Sequence, residues 1–327
     1  KYPEEARDSF GEDPFEVKNI LKHWAFSENP DFHVIPTDTV TIRLDKEAIL
    51  RSGVMLPHSI RHLKGEELIN ALPEKLEISL KEVRMLTKMD LLILEMIANC
   101  NWERPLYMAI SVGEASNLKL DNYFVMEGLA YRFAPFDYKQ WGDSDEHNSH
   151  VVDVEKLYTN VMQRYKYGGL DTPGLYIDET TMRLCYSHRR LFTQLALKLI
   201  EQGEHSRAKE VLAYAEKAIP KYNVPEVYES GSFDMATAYA ALGEKKRAIS
   251  ILDYLTAEAE SSILWIFSLN DNDIRIAQKD CMVKFWQWNL YNDLMKEIDS
   301  TKYRENSHRF EEKYAQFSQI MNIGINN

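Results

Sequence analysis

The 327-residue chain is 45% hydrophobic and 28% charged, and its formal net charge of -12 at pH 7 argues against a nucleic-acid surface, which needs Lys and Arg in excess to neutralise phosphate. No run approaches the roughly 18 apolar residues of a membrane span; the densest, Leu91 to Leu94, is flanked by Asp90 and Glu95. The three cysteines, Cys100, Cys185 and Cys281, are too few and too far apart for a disulfide framework or a CxxC zinc site.

Each cysteine reads instead as a buried free thiol, a usage that favours a reducing compartment. The chain opens at Lys1 directly into polar residues, with neither an initiator Met nor a signal-peptide pattern, and is expected to be a piece of a longer protein.

In chain order, Phe15, Val17, Ile20, Leu21 and Trp24 recur at helical spacing and predict an amphipathic helix over 14–25. Val40, Ile42 and Leu44 then alternate with Thr41 and Arg43, as a half-buried strand requires. Asp45 is placed to cap a short helix that Gly53 stops. A second strand is expected at Leu76 to Ile78. Ser79 and Glu82 have the spacing of a capping box for a long helix from Leu80 to Cys100, with Val83, Leu86, Met89, Ile93, Met96 and Ile97 toward the core.

After Pro105 the run Leu106 to Ile110 is apolar on both faces. A strand of that kind, reached from an earlier one through a helix, predicts a right-handed βαβ unit and an α/β domain. A helical turn over 121–127 and a strand Leu129 to Phe133 follow, then a polar loop from Pro135 to Val151. The domains expected are 1–150, α/β, and 151–327, helical repeats.

Helices are predicted at Val154 to Tyr167 and Met182 to Gln202. In the second, Phe192, Leu195, Ala196 and Leu199 form an apolar stripe; Gly203 breaks the helix; Ala208, Leu212 and Ala215 form another stripe that Pro220 ends. Forty residues on, Met235, Ala236, Tyr239, Gly243, Ala248, Leu252 and Leu255 repeat the pattern. Small residues that let two helices approach, with a glycine between them, are the tetratricopeptide signal. Asp273 to Ile298 reads as one aromatic-rich helix, and the last helix, with Phe310, Tyr314, Phe317 and Met321 on one stripe, as a polar-backed cap.

Asn101, Trp102, Arg104, Pro105, Leu106, Tyr107, Met108 and Ala109, with Glu127, Gly128, Leu129, Tyr131, Arg132 and Pro135, resemble the Asn-Trp-x-Arg-Pro-Ile-Tyr-Phe-Ala signature, and the segment after it, of a family of large multi-pass membrane proteins of Bacteroidetes. Tyr176, Asp178, Glu179, Arg183 and Arg189 or Arg190 resemble its entry into the repeats. That family is similar to protein O-mannosyltransferases of the glycosyltransferase C superfamily. The resemblance runs from about Thr37 to the second repeat, with departures at Met108, where the family favours Phe, and in the loop from Asp137 to His150.

The resemblance implies that this chain is the extracytoplasmic, non-catalytic C-terminal portion of such a protein, at the periplasmic face of the inner membrane, whose catalytic acid and lipid-linked donor belong to a membrane-embedded N-terminal half. That half is the implied partner, with an acceptor protein or peptide as a second. No cofactor is implied. On compartment the resemblance outweighs the cysteines.

Within the residues themselves, Arg190, Gln194, Asp234 and Thr237 would line the concave face that helical arrays offer to extended peptides. Asn101, Trp102, Arg104, Pro105, Gly128, Tyr131 and Arg132 are assigned to structure, with Trp102 and Arg104 satisfying the end of a core helix. The remaining arginines, Arg183, Arg189 and Arg190, have guanidinium forks suited to paired oxygens, and backbone carbonyls or acids are their expected partners. Asp143, Asp145, Glu146, His147, His150 and Asp153 are the one metal-like cluster, which would suit a hydrolase, but no HExxH spacing supports it and no metal is assigned. Ser111 to Ser116 follows a strand end where α/β sheets bind ligands, yet Gly113 alone makes no phosphate loop. Trp286 and Trp288 are assigned to the core.

Overall fold

The computed structural model describes residues 13–30, 33–112, 117–143 and 151–323. The chain divides into two compact units, Lys1–Leu157 and Tyr158–Asn327.

The first unit begins with α1, Val17–Ile20, which continues as a π turn over Leu21–Ala25 and buries Val17, Ile20, Leu21 and Trp24. Strand β1 (Thr39–Arg43) pairs antiparallel with β2 (Lys75–Ser79), Val40 opposite Ile78 and Ile42 opposite Leu76. Those four residues face the core together, which fixes the register. Asp45 accepts from Ala48 N at 2.9 Å and so caps α2 (Lys46–Arg51), and α3 spans Gly65–Ala71.

Helix α4 is Lys88–Asn99, shorter than the sequence implies. Ser79 ends β2, and the reciprocal capping box belongs to Thr87 and Asp90: Asp90 N donates to Thr87 Oγ1 and Thr87 N to Asp90 Oδ2. Asp90 is fully buried and also accepts from Asn117 N and Nδ2. With a helix starting eight residues later than Leu80, its apolar stripe turns partly outward, and Met89 and Met96 are exposed.

The second sheet has the order β3-β5-β4-β6, formed by β3 (Tyr107–Ala109), β4 (Phe124–Met126), β5 (Ala130–Phe133) and β6 (Val151–Val152). All pairs are antiparallel except β4 with β6. The expected βαβ crossover is absent: β2 and β3 lie in different sheets. Strand β3 is an edge strand with Tyr107 and Ala109 exposed. The expected helical turn over 121–127 is a 3-10 turn, Asp121–Tyr123, leading straight into β4. Its Tyr123 hydroxyl reaches Glu77 O at 2.8 Å, joining the two sheets. Helix α5 (Val154–Thr159) runs into a π turn, Asn160–Arg164.

The second unit is helical: α6 (Glu179–Glu201), α7 (His205–Ala218), α8 (Ser232–Ala241), α9 (Lys245–Phe267), α10 (Asp271–Ile276), α11 (Gln278–Ile298) and α12 (Ser300–Ile323). Helices α6 with α7, α8 with α9 and α11 with α12 pack as hairpins. The turns of the first two match bond for bond. Gly203 (φ +78°) and Gly243 (φ +76°) take the left-handed conformation. Their amides donate to Ile200 O and Ala240 O, and the following Glu204 and Glu244 amides to Leu199 O and Tyr239 O. Ala208 and Ala248, forty residues apart, are both fully buried.

Where one helix was expected over 273–298, Asn270 caps α10 through Asn272 N and Asp273 N, and a break at Ala277 separates it from α11. In α12, Phe317 is buried while Tyr314 is exposed; Phe310 and Tyr314 nonetheless pack edge-on against Phe285. Cys185 and Cys281 are buried and Cys100 is partly so; burial raises each thiol, that of Cys281 to about 11.

Candidate functional site

In the second unit, α8 starts directly on α6. Gly231, its N-cap, has φ +76°, and a Cβ there would stand 2.7 Å from Arg190 Cγ. This close approach brings Arg190 to the start of the helix that carries Asp234 and Thr237. Gln194 lies one turn further along α6, half-buried. Arg190 is exposed, with Nη2 donating to Ser187 Oγ at 3.1 Å, and the Thr237 hydroxyl is used within its own helix, on Phe233 O at 3.2 Å. The Asp234 side chain is exposed, yet surrounding protein raises its carboxyl above the ordinary aspartate range.

An aromatic wall adjoins it. Tyr228 packs edge-on against Trp286 at 5.5 Å, and Phe233 lies 5.6 Å from Tyr291. Trp288 is core, as its sequence context implies, but Trp286 is 55% exposed. Trp286 and Trp288 are two residues apart on α11, about 200° around a helix, so one faces the core and the other faces out. That spacing was the available signal.

Arg189, next to Arg190, is turned into the protein and is 3% exposed. Its Nη1 donates to Pro225 O and Ser230 Oγ, and its Nη2 to Ile219 O and Val224 O. It binds the linker between the first two hairpins. Arg183 is exposed and pairs with Glu179 at 2.5 Å, one turn away.

In the first unit the chain leaves α4 through two consecutive left-handed residues, Asn101 (φ 47°) and Trp102 (φ 61°). Such conformations cost of order 1–3 kcal/mol each and persist because Trp102 is held, 8% exposed and stacked on Phe133 with centroids 6.1 Å apart. Arg104 does not join it. Arg104 and Pro105 are exposed, so the expected role of Arg104 at the helix end is corrected: the left-handed turn itself reverses the chain and carries Arg104 outward.

Arg132 does what was expected of Arg104. It is buried and donates to Ser52 O at 2.5 Å and Gly53 O at 3.2 Å. Glu127 is the hub beside it, also buried. One carboxylate oxygen accepts from the Tyr107 hydroxyl at 2.9 Å; the other takes Lys156 Nζ at 2.7 Å and faces Arg132 Nη1 at 3.7 Å. Burial and Glu127 raise the Tyr107 phenol. Gly128, buried, follows the hub with φ 152° in the turn between β4 and β5. Tyr131 is half-buried opposite Met108.

Residues 7–156 match the family model described as TMEM260-associated domain 2. The match covers just under half of the chain and includes the whole Glu127 network. No curated protein and no solved structure matches the chain.

Within the TMEM260-associated domain 2 match, β3 and α4 border an apolar groove of about 550 Å³, lined by Ile93, Met96, Leu106, Met108, Tyr131 and Phe133 among others. Met89, Leu92 and Met96 continue it as an exposed stripe on α4. The sequence does not reveal this groove, because Met89, Ile93 and Met96 recur at helical period and read as core. Of the metal-like cluster, Asp145, Glu146, His147 and His150 lie outside the described residues. Asp143 accepts from His58 N, and Asp153 caps α5 through Lys156 N. Among the described residues no three His, Cys, Asp or Glu side chains converge on a metal position. None of their helices is long and apolar enough to cross a membrane.

Proposed function

We propose that this chain is the non-catalytic extracytoplasmic C-terminal portion of a membrane-embedded glycosyltransferase of the protein O-mannosyltransferase kind, and that its helical hairpins form a tetratricopeptide-like array for recognising an acceptor or partner. The observation that carries the reading is the match of residues 7–156 to TMEM260-associated domain 2, a description that names a domain associated with another protein. The signature around Trp102 and the entry into the hairpins at Asp178 support it, as does the forty-residue recurrence of the Gly203 and Gly243 turns. The face formed by Arg190, Gln194, Asp234 and Thr237 is the recognition surface in this reading.

Two experiments test it. The chain alone, given lipid-linked mannose and an acceptor peptide, is expected to show no turnover above buffer; turnover would overturn the accessory role. In the full-length protein, Asp234→Lys is expected to lower glycosylation without lowering the stability of the chain. A peptide-binding adaptor that works without a membrane partner is the second reading, favoured by the half-exposed Trp286 packed on Tyr228. Many apolar spans encoded upstream of Lys1 would exclude it.

A further inference from the structure

Strand β3 has a neighbour on one side only, β5. Leu106 O accepts from Phe133 N at 2.9 Å, and Ile110 N donates to Leu129 O at 3.1 Å, so the backbone groups of Leu106, Met108 and Ile110 point at β5. Those of Tyr107 and Ala109 point the other way, as alternation along an antiparallel strand requires. Ala109 O is taken by Val112 N at 3.0 Å. Tyr107 N–H, Tyr107 C=O and Ala109 N–H have no hydrogen-bond partner among the described residues, and both residues are exposed. Neither a charge nor a proline stands within β3 to guard this edge.

The apolar groove of about 550 Å³ lies along the same strand. All five residues from Leu106 to Ile110 line it. Successive residues of a strand point to opposite faces, so a groove bordered by all of them runs along the strand's free edge. Its apolar surface comes from one face of the sheet, where Met108 stands opposite Tyr131 and Phe124 opposite Phe133, and from Ile93 and Met96 of α4. Met108, Phe124 and Tyr131 are each partly open to solvent.

We propose that this groove binds an extended segment of another polypeptide, which adds a strand to the free edge of β3 and buries an apolar side chain at every second residue. The free backbone groups select this occupant. A lipid chain laid in the groove would cover two N–H donors and a carbonyl without pairing them, at a cost, and a helix has already spent its backbone groups on itself. An extended chain supplies donors and acceptors at the strand repeat. Its residues opposite Leu106, Met108 and Ile110 turn toward the groove and those opposite Tyr107 and Ala109 turn away, so the pattern selected is apolar residues alternating with polar ones. The site is in the first unit and does not rest on the function proposed above.

Fluorescence anisotropy of labelled heptapeptides, with Leu, Val, Ile, Phe or Met in the third and fifth places and Thr or Lys elsewhere, reads binding to the 327-residue chain. Saturable binding of at least one, at one site per chain, is expected. A peptide of the same composition with its two apolar residues adjacent should bind at least tenfold more weakly. Methylating the backbone nitrogens of alternate residues keeps the side chains and removes donors; in one of the two registers this should also cost at least tenfold, and tolerance in both would overturn strand addition. Ala109→Pro removes the free N–H and leaves the pairing with β5, a position at which edge strands accept proline, and should weaken binding at least tenfold with an unchanged circular dichroism spectrum. Met96→Lys, on a side chain 54% exposed, provides the same reading should Ala109→Pro not fold. Asp234→Lys should leave binding unchanged; a loss there would move the peptide to the helical face and overturn the proposal. No saturable binding, binding unaltered in the β3 and α4 variants, or a peptide-free dimer that both variants disperse, giving the edge to a second copy of the chain, would overturn it as well.

Discussion

Gly231 and Arg190 are in contact so close that one hydrogen in place of a methyl group decides whether α8 can start on α6: a Cβ on Gly231 would sit 2.7 Å from Arg190 Cγ and 3.4 Å from Arg190 Cα. The left-handed φ of Gly231 adds its own penalty for any L side chain. Gly231→Ala is therefore expected to destabilise the second unit by about 1–3 kcal/mol. Urea unfolding followed by tryptophan fluorescence is the measurement, and an unchanged midpoint would show that the two helices do not meet there.

Ala208 and Ala248 offer a paired test of the recurrence. Both are fully buried one step after equivalent turns. Ala208→Trp and Ala248→Trp should each overpack a hairpin and cost about 1–3 kcal/mol or more. Similar losses at both positions are expected. A loss at one position with none at the other would break the equivalence.

The residues around Trp102 and Arg132 that carry the resemblance separate into those that hold the fold and those that do not. Trp102→Ala removes a buried indole that stabilises two left-handed residues, and a loss of about 3–5 kcal/mol is expected. Arg132→Ala leaves Glu127 buried with less compensation, at about 3–5 kcal/mol. Arg104→Ala, on an exposed side chain, should stay within about 0.5 kcal/mol. Thermal midpoints of the three variants check the order; a destabilised Arg104 variant with a stable Trp102 variant would reverse the assignment.

His188 gives the chain a pH dependence. Its Nδ1 is buried without a partner, and its ring packs edge-on against Tyr165 and Tyr167 at 5.9 and 5.5 Å. Burial lowers its pKa from the ordinary histidine value of 6.5. A group with a lowered folded pKa contributes stability that is present above its unfolded pKa and is lost as pH falls through the folded value. Stability of the second unit should thus decline as pH falls below about 6.5. His188→Gln should show a shallower decline than the wild type in parallel denaturation curves at pH 7 and pH 5.

Local patterns carried much of the fold into the sequence. The alternation of Val40 and Ile42 against Leu76 and Ile78 places both strands of the first pair, because each buries one face only. Gly203 with Ala208, and Gly243 with Ala248, mark the hairpins because a tight turn and a close helix contact each demand a small residue. Less legible were features set by distant contacts. Ser79 and Glu82 have a capping spacing, but Ser79 is held in β2 by pairing with Thr39, forty residues away. Tyr107 to Ala109 is as apolar as a buried strand, yet β3 is at the sheet edge, which no local signal distinguishes. Of the site residues, Arg190 and Asp234 could be placed by helical period; the Glu127 hub depends on its contacts with Tyr107, Arg132 and Lys156, which no local pattern shows.

The linker grip of Arg189 bears on how the array comes apart. The first two hairpins share a turn, a small-residue step and a forty-residue spacing, but forty residues beyond Arg189 stands Glu229, which is exposed. The modules are therefore alike without being interchangeable. All four acceptors of the Arg189 guanidinium lie between Ile219 and Ser230, in the entry to the second hairpin, so fraying of that entry strands a buried cation in the first. Neighbour coupling of this kind joins what would otherwise be independent modules into one cooperative unfolding block, and hydrogen exchange should find the amides of α6 and α8 opening together.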